Sequence, residues 1–253
     1  MKKVLNTALC GFAAGVISYI TSLIYYKILG DAAGSYPAVL AAPMMLAVGL
    51  LTVLTGGLKL FAGASGYFLY EKPVSKSTGN LLMLYAANFL GCYAAHNFLK
   101  LSFLLPKLVS GNELGLDLFF GEFNSAAASG AYNAIANSFG TDAEVFGSFF
   151  VWFIARSAVC GILIFIGVEF YKRTGKVYMA ILAVFAYTIG GFSNCITTLS
   201  GVLIASAAYD FSFAAQFIII STTALGNMLG GMLASAVLRA VRNTAEPAGA
   251  ENK

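Results

Sequence analysis

Charge is what this sequence has least of. Only 10% of its 253 residues are Asp, Glu, Lys or Arg, against about 25% in a typical soluble domain. Too few charges remain to cover a globular surface. The net charge of +4 therefore reads as a matter of membrane topology, not as a nucleic-acid signal. Histidine occurs once, at His96. The four cysteines, Cys10, Cys92, Cys160 and Cys195, fall in separate apolar segments without a C-x-x-C pair. That spacing suggests neither a disulfide framework nor a zinc site, and such residues serve as small packing groups. No metal cluster, nucleophile–base pair or phosphate loop stands out, so the sequence points away from an enzyme and calls for no cofactor.

What the chain has is hydrophobicity: 59% of it is apolar and its mean hydropathy is +0.81. Several apolar runs exceed the roughly 18 residues that can cross a bilayer. The expectation is an all-α integral membrane protein whose partner is the lipid bilayer. The start, Met1-Lys2-Lys3 before an apolar stretch, resembles a signal peptide. The stretch is too long for a cleaved signal, so it reads as the first span.

Six spans are expected, at 8–30, 38–70, 78–105, 146–170, 177–208 and 212–241, forming one channel domain with 242–253 as a tail. Basic residues mark alternate connections: Lys2 and Lys3, then Lys72 and Lys76, then Lys172, Arg173 and Lys176, then Arg239 and Arg242. The intervening loops carry Asp31, an acidic set led by Glu113 and Asp117, and Asp210. The positive-inside rule then puts both termini in the cytoplasm. The long external loop 106–145 contains a small, polar portion that suits a short surface helix and shows no site chemistry.

The second and fifth segments each run to about 32 residues, whereas about 20 suffice to cross the hydrocarbon core. Both carry a glycine pair near the middle: Gly56 and Gly57 in "LTGGLKLFAG", Gly190 and Gly191 in "IGGFSNCITTLSG". Glycine costs about 1 kcal/mol in a helix interior relative to alanine, so both segments are expected to break there. Freed backbone groups are tolerated at membrane depth only when buried in protein or lining a wet cavity. A second echo joins the halves. "NFLG" (Asn88 to Gly91) follows the first break as "NMLG" (Asn227 to Gly230) follows the second. Taken alone, these small-residue motifs fit plain helix packing. Taken with the breaks, they suggest an inverted 3+3 repeat, as in channels and secondary transporters.

Four patches resemble the formate/nitrite transporter family of aquaporin-like pentameric anion channels. "LTGGLKLFAG" is similar to that family's loop interrupting the second helix. "NLLMLYAANFLG" matches its N-x-x-x-x-Y-x-x-N-F-x-G third helix. "GGFSNCITTL" sits where the family has G-F-E-H-x-x-x-N-M, and "TTALGNMLGG" is similar to its sixth helix. The departures fall at the site. The family's central histidine position is Asn194, its glutamate Ser193, and its closing asparagine Thr198. The acidic residue of the second-helix loop falls at Lys59, and a threonine of some members at Ala62. A lysine opening the family's fifth helix is matched by Lys176, eighteen residues before Asn194.

The resemblance implies a homopentamer in the inner membrane of a prokaryotic cell, passing formate, nitrite, hydrosulfide or short monocarboxylates. Asn194 cannot give a permeant a proton, since an amide does not titrate, so weaker proton coupling is expected. On the residues themselves, Ser193, Asn194, Thr197 and Thr198 would bond the freed backbone and the permeant, with Phe192 and Phe61 as apolar constrictions or as packing. Lys59 is an ionisable group at membrane depth, hence a pathway residue or a snorkelling one. Lys176 is a vestibule residue or a topology marker. Arg156 would snorkel or bond a broken helix end, and His96 reads as a packing histidine. Glu169 is the one acid inside a span, and no carboxylate lies near either break. Such a lining suits an anion or a neutral polar solute better than a metal cation. An aquaporin-like pore for water or a small neutral solute is the alternative.

Overall fold

The computed structural model describes residues 2–31, 35–68, 74–110, 125–136, 143–210 and 212–245, and all their regular structure is helical. In chain order the helices are α1 (Lys2–Asp31), α2 (Tyr36–Thr55), α3 (Phe61–Ala64) with a 3-10 turn at Ser65–Tyr67, and α4 (Val74–Ser110). Then come α5 over 125–136, α6 (Ala143–Thr174), α7 (Tyr178–Ile189), α8 (Cys195–Ala205) and α9 (Phe213–Ala245). Among the described residues, Val4–Asp31, Phe150–Thr174 and Phe213–Thr244 are long and apolar enough to cross a membrane. Leu40–Thr55, Tyr178–Ile189 and Cys195–Ala205 are shorter apolar helices. Many large apolar side chains face outward along them, such as Val151, Leu182 and Phe217.

Both overlong segments stop at their glycine pairs, and they stop in the same way. Leu58 N–H donates to the Val53 carbonyl (2.9 Å) and Gly57 N–H to Leu54 (3.2 Å). Phe192 N–H donates to Tyr187 (2.8 Å) and Gly191 N–H to Thr188 (3.1 Å). These are paired Schellman motifs, which need a left-handed residue just past the helix end. Gly57 (φ 65°) and Gly191 (φ 67°) supply it.

Each break then restarts through an asparagine from another helix. Asn88 on α4 accepts from Phe61 N–H (2.7 Å) and donates to the carbonyls of Lys59 (3.1 Å) and Gly11 (2.7 Å). Asn227 on α9 accepts from Cys195 N–H (2.7 Å) and donates to Ser193 (2.8 Å) and Ser157 (2.7 Å). Both side chains are fully buried. A buried amide with every group paired is a strong positional constraint, so these asparagines tie three chain segments together at each break.

α1 packs along α4 and α6 along α9. The approach is close enough that a Cβ on Gly91 would lie 2.1 Å from the Phe12 carbonyl oxygen, and one on Gly230 1.8 Å from that of Ala158. α9 continues through Ala245, into the segment expected as the tail, because polar residues on an exposed end do not interrupt a helix. One detail differs from the sequence reading. The short helix in loop 106–145 is no surface helix. Ala127, Ala128, Ala131 and Ile135 on α5 are buried, and Gly30 and Gly130 let α5 touch the α1 backbone. Small residues that looked merely polar and loop-like are what allow that docking. The acidic residues Glu113, Asp117 and Glu122 lie outside the described residues.

Candidate pore

A cavity of about 820 Å³ lies between the two breaks and the helices that flank them. One end sits among helix termini, with Thr7 near the start of α1, Ser77 and Asn80 near the start of α4, and Tyr171 and Lys172 near the end of α6. The other end reaches the α7–α8 break at Asn194 and Thr197, beside the hydroxyls of Ser18, Thr21 and Ser22 on α1. Lys59 from the α2–α3 break also lines it. Among the described lining residues there are two lysines and no carboxylate or imidazole.

Asn194 has two tasks. It is the N-cap of α8, in extended conformation (φ −91°, ψ 130°), and its Oδ1 accepts from Ile196 N–H (2.9 Å) and Thr197 N–H (3.4 Å). Asn is among the best N-cap residues because its short acceptor reaches those orphan N–H groups. With Asn227 taking the Cys195 N–H, the first N–H groups of α8 are all used within the protein. What the break presents to the cavity is therefore the positive end of the helix dipole and the Asn194 amide, not free backbone donors. The Ser22 Oγ on α1 is buried, with no hydrogen-bond partner among the described residues.

The C-terminal end of the α7 half-helix is compensated from α6, where the Arg156 guanidinium donates to the Gly191 carbonyl. A cation at the negative end of a helix is favourable, and this contact uses the helix-end bond considered for Arg156 from the sequence. Tyr26 on α1 donates to the Thr197 carbonyl (3.1 Å) and ties α1 to α8. Lys59 reaches Thr7 at 3.5 Å and stays exposed. The Lys172 ammonium lies 3.9 Å from the centre of the Tyr67 ring, within cation–π range.

The structure thus brings Lys59, Asn194 and Thr197 to one cavity. Ser193, Thr198, Phe192, Phe61 and Lys176 are not among its lining residues. Each has another position. The Ser193 carbonyl is bonded to Asn227. Thr198 is buried within α8, and Phe192 packs against the core. Phe61 is buried with its ring edge-on to Tyr85 at 5.0 Å. Lys176 is exposed beside the α6–α7 turn. His96 is buried, its Nδ1 2.7 Å from the Tyr19 hydroxyl. The sequence reading missed Lys172, Tyr67 and Ser22. A signal for Lys172 existed: Ile164, Val168, Tyr171 and Lys172 follow helical spacing, and all four line the cavity.

Neither protein-family profiles nor curated proteins yield a match to the chain. Solved structures do. A pentameric formate channel with formate bound superposes with a TM-score of 0.73 at 16% identity, covering 96% of this chain and 98% of that one. An ion channel of the FNT family superposes at 0.68 and 15% identity, covering 96% and 91%. Similarity over nearly the whole of each chain, at that identity, establishes a shared fold.

Proposed function

We propose that the protein is a membrane channel for small monovalent anions of the formate or nitrite kind. The observation that carries this reading is the make-up of the cavity: Lys59 and Lys172 at its sides, amide and hydroxyl donors at its inner end, and no described carboxylate. Cationic lining raises the local anion concentration, and donors without fixed negative charge replace hydration of an anion as it moves inward. The likeness to a formate channel with formate bound supports the same class of permeant.

The spans, in this reading, are α1, α2 with α3, α4, α6, α7 with α8, and α9, arranged as an inverted repeat of three and three. The matched Schellman ends and matched asparagine bonds at the two breaks support that arrangement. Both termini lie in the cytoplasm, as the alternation of basic loops supports, and the membrane is that of a prokaryotic cell by resemblance alone. Five copies assemble, by analogy with the pentamer it resembles. Lys59 and Lys172 draw the anion into a cytoplasmic vestibule, and the Asn194 amide with the Thr197 hydroxyl binds it at the break.

The uncharged inner end keeps a neutral-solute pore as the second reading. Stopped-flow light scattering on proteoliposomes separates the two. Flux of formate, nitrite or hydrosulfide above that of empty liposomes is expected. Movement of water or glycerol alone would leave the fold and remove the anion reading.

A further inference from the structure

We infer a second anion site, a socket for a phosphate group between the ends of α6 and α9, separated from the pore by Tyr67. A cavity of about 320 Å³ is lined there by Arg173 on α6 and by Arg239 and Arg242 on α9, with Glu169 and Ser235 beside them. Arg173 and Arg242 share the single carboxylate of Glu169, which leaves one positive charge in excess within that trio (2 − 1 = 1). The excess is built in by helical spacing. Glu169 and Arg173 stand four apart on α6, Arg239 and Arg242 three apart on α9, so each pair shares a face.

Glu169 acts as an anchor and not as the ligand's competitor. Its Oε1 accepts from Arg173 Nε (2.5 Å) and Arg242 Nη2 (3.2 Å), and its Oε2 accepts from the Tyr67 hydroxyl (2.5 Å). Both oxygens are thereby occupied, while its side chain is only 13% exposed. A guanidinium carries five N–H donors, so these bonds consume a small part of what Arg173 and Arg242 offer. They fix the two guanidiniums in place around a recess. Pre-oriented planar forks suit the bidentate geometry of phosphate oxygens. Like charges held this close repel, and a bound anion removes that repulsion. The size is at the small end for ligand cavities, enough for one headgroup and not for a whole lipid.

Two sources could supply the phosphate: an anionic phospholipid headgroup, which basic pockets between spanning helices bind on the cytoplasmic side, or free phosphate. The lipid source rests on the membrane reading, but neither source depends on what the pore passes.

The test uses the full chain in detergent. Native mass spectrometry compares retained phosphatidylglycerol with retained phosphatidylcholine, for the unaltered protein, for Arg173→Gln/Arg242→Gln and for Arg239→Gln. Unfolding temperature with and without inorganic phosphate forms the second arm. The expected result is preferential retention of phosphatidylglycerol, reduced at least about tenfold in the double variant, the size of effect that losing hydrogen bonds to a charged group gives. Displacement of that lipid by inorganic phosphate would place both on one site. Stabilisation by inorganic phosphate without lipid preference would identify free phosphate as the source. If the double variant does not fold, Arg239→Gln carries the comparison. Equal retention of the two lipids together with no stabilisation by phosphate overturns the proposal. So does binding that persists within about twofold in every folded variant, since removing guanidiniums that grip a phosphate must weaken it.

Discussion

Replacing Asn227 with leucine should destabilise the protein by about 3–4 kcal/mol, although leucine is nearly the same size and more apolar. Asn227 is fully buried. It satisfies the Cys195 N–H and the Ser193 carbonyl at the break, and gives a second bond to the Ser157 carbonyl. Leucine leaves the first two without partners, at about 1–3 kcal/mol each, and regains only a little from apolar burial. Asn227→Asp, as the neutral acid that burial favours, keeps the acceptor for Cys195 N–H and supplies one donor for a carbonyl, so it should cost less than leucine. Asn88→Leu should cost a similar amount, because its bonds to Phe61, Lys59 and Gly11 match those of Asn227. The two sites share no partner, so their effects should add to within about 0.5 kcal/mol. The assay is reversible unfolding in mixed dodecylmaltoside–SDS micelles, followed by helicity. A change below about 0.5 kcal/mol for Asn227→Leu, within ordinary surface-substitution range, would refute the claim that this amide holds the break together.

Three further outcomes follow from the same geometry. Gly57→Ala should cost about 1–2 kcal/mol of left-handed strain without a clash, since nothing lies within 4 Å of the added Cβ; Gly191→Ala should cost more, because its Cβ would sit 2.9 Å from Arg156 Nη2, and thermal unfolding of both variants checks the order. Nitrite flux, measured by liposome swelling, should be flat between about pH 6 and pH 8, because no described lining residue is an imidazole and that is where histidine titrates; a steep step that survives His96→Gln would contradict this. Lys172→Gln and Lys59→Gln should each lower anion flux several-fold at low ionic strength and much less at high salt, the signature of electrostatic attraction; equal losses at both salts would indicate a structural role instead.

The parts of the fold that were legible in the sequence are those with strong local chemistry. Gly57 and Gly191 mark the breaks because only glycine takes a left-handed helix end at no cost. Asn194 stood out as the polar centre of an apolar segment, but its commitment to the α8 N-terminus depends on a turn geometry that one-dimensional spacing does not show. Asn88 and Asn227 looked like packing residues, because their partners lie 27 and 32 positions away at the breaks. Lys172 was hidden by its position: a basic residue at a helix end is explained by topology alone, so its place on the cavity went unnoticed. The Glu169 cluster joins elements far apart in the chain, whereas the bond from Arg156 to Gly191 is the helix-end contact considered from the sequence. The docking of α5 is a tertiary event built from alanines and glycines that carry no directional signal.

The most direct test of the central claim is the reversal potential of the purified protein in a planar bilayer under a gradient of sodium formate. An anion-selective cavity predicts a potential close to the formate equilibrium value. A reversal at the sodium value, or protein-dependent water flow with no current at all, would contradict an anion pathway past Lys59, Lys172 and Asn194.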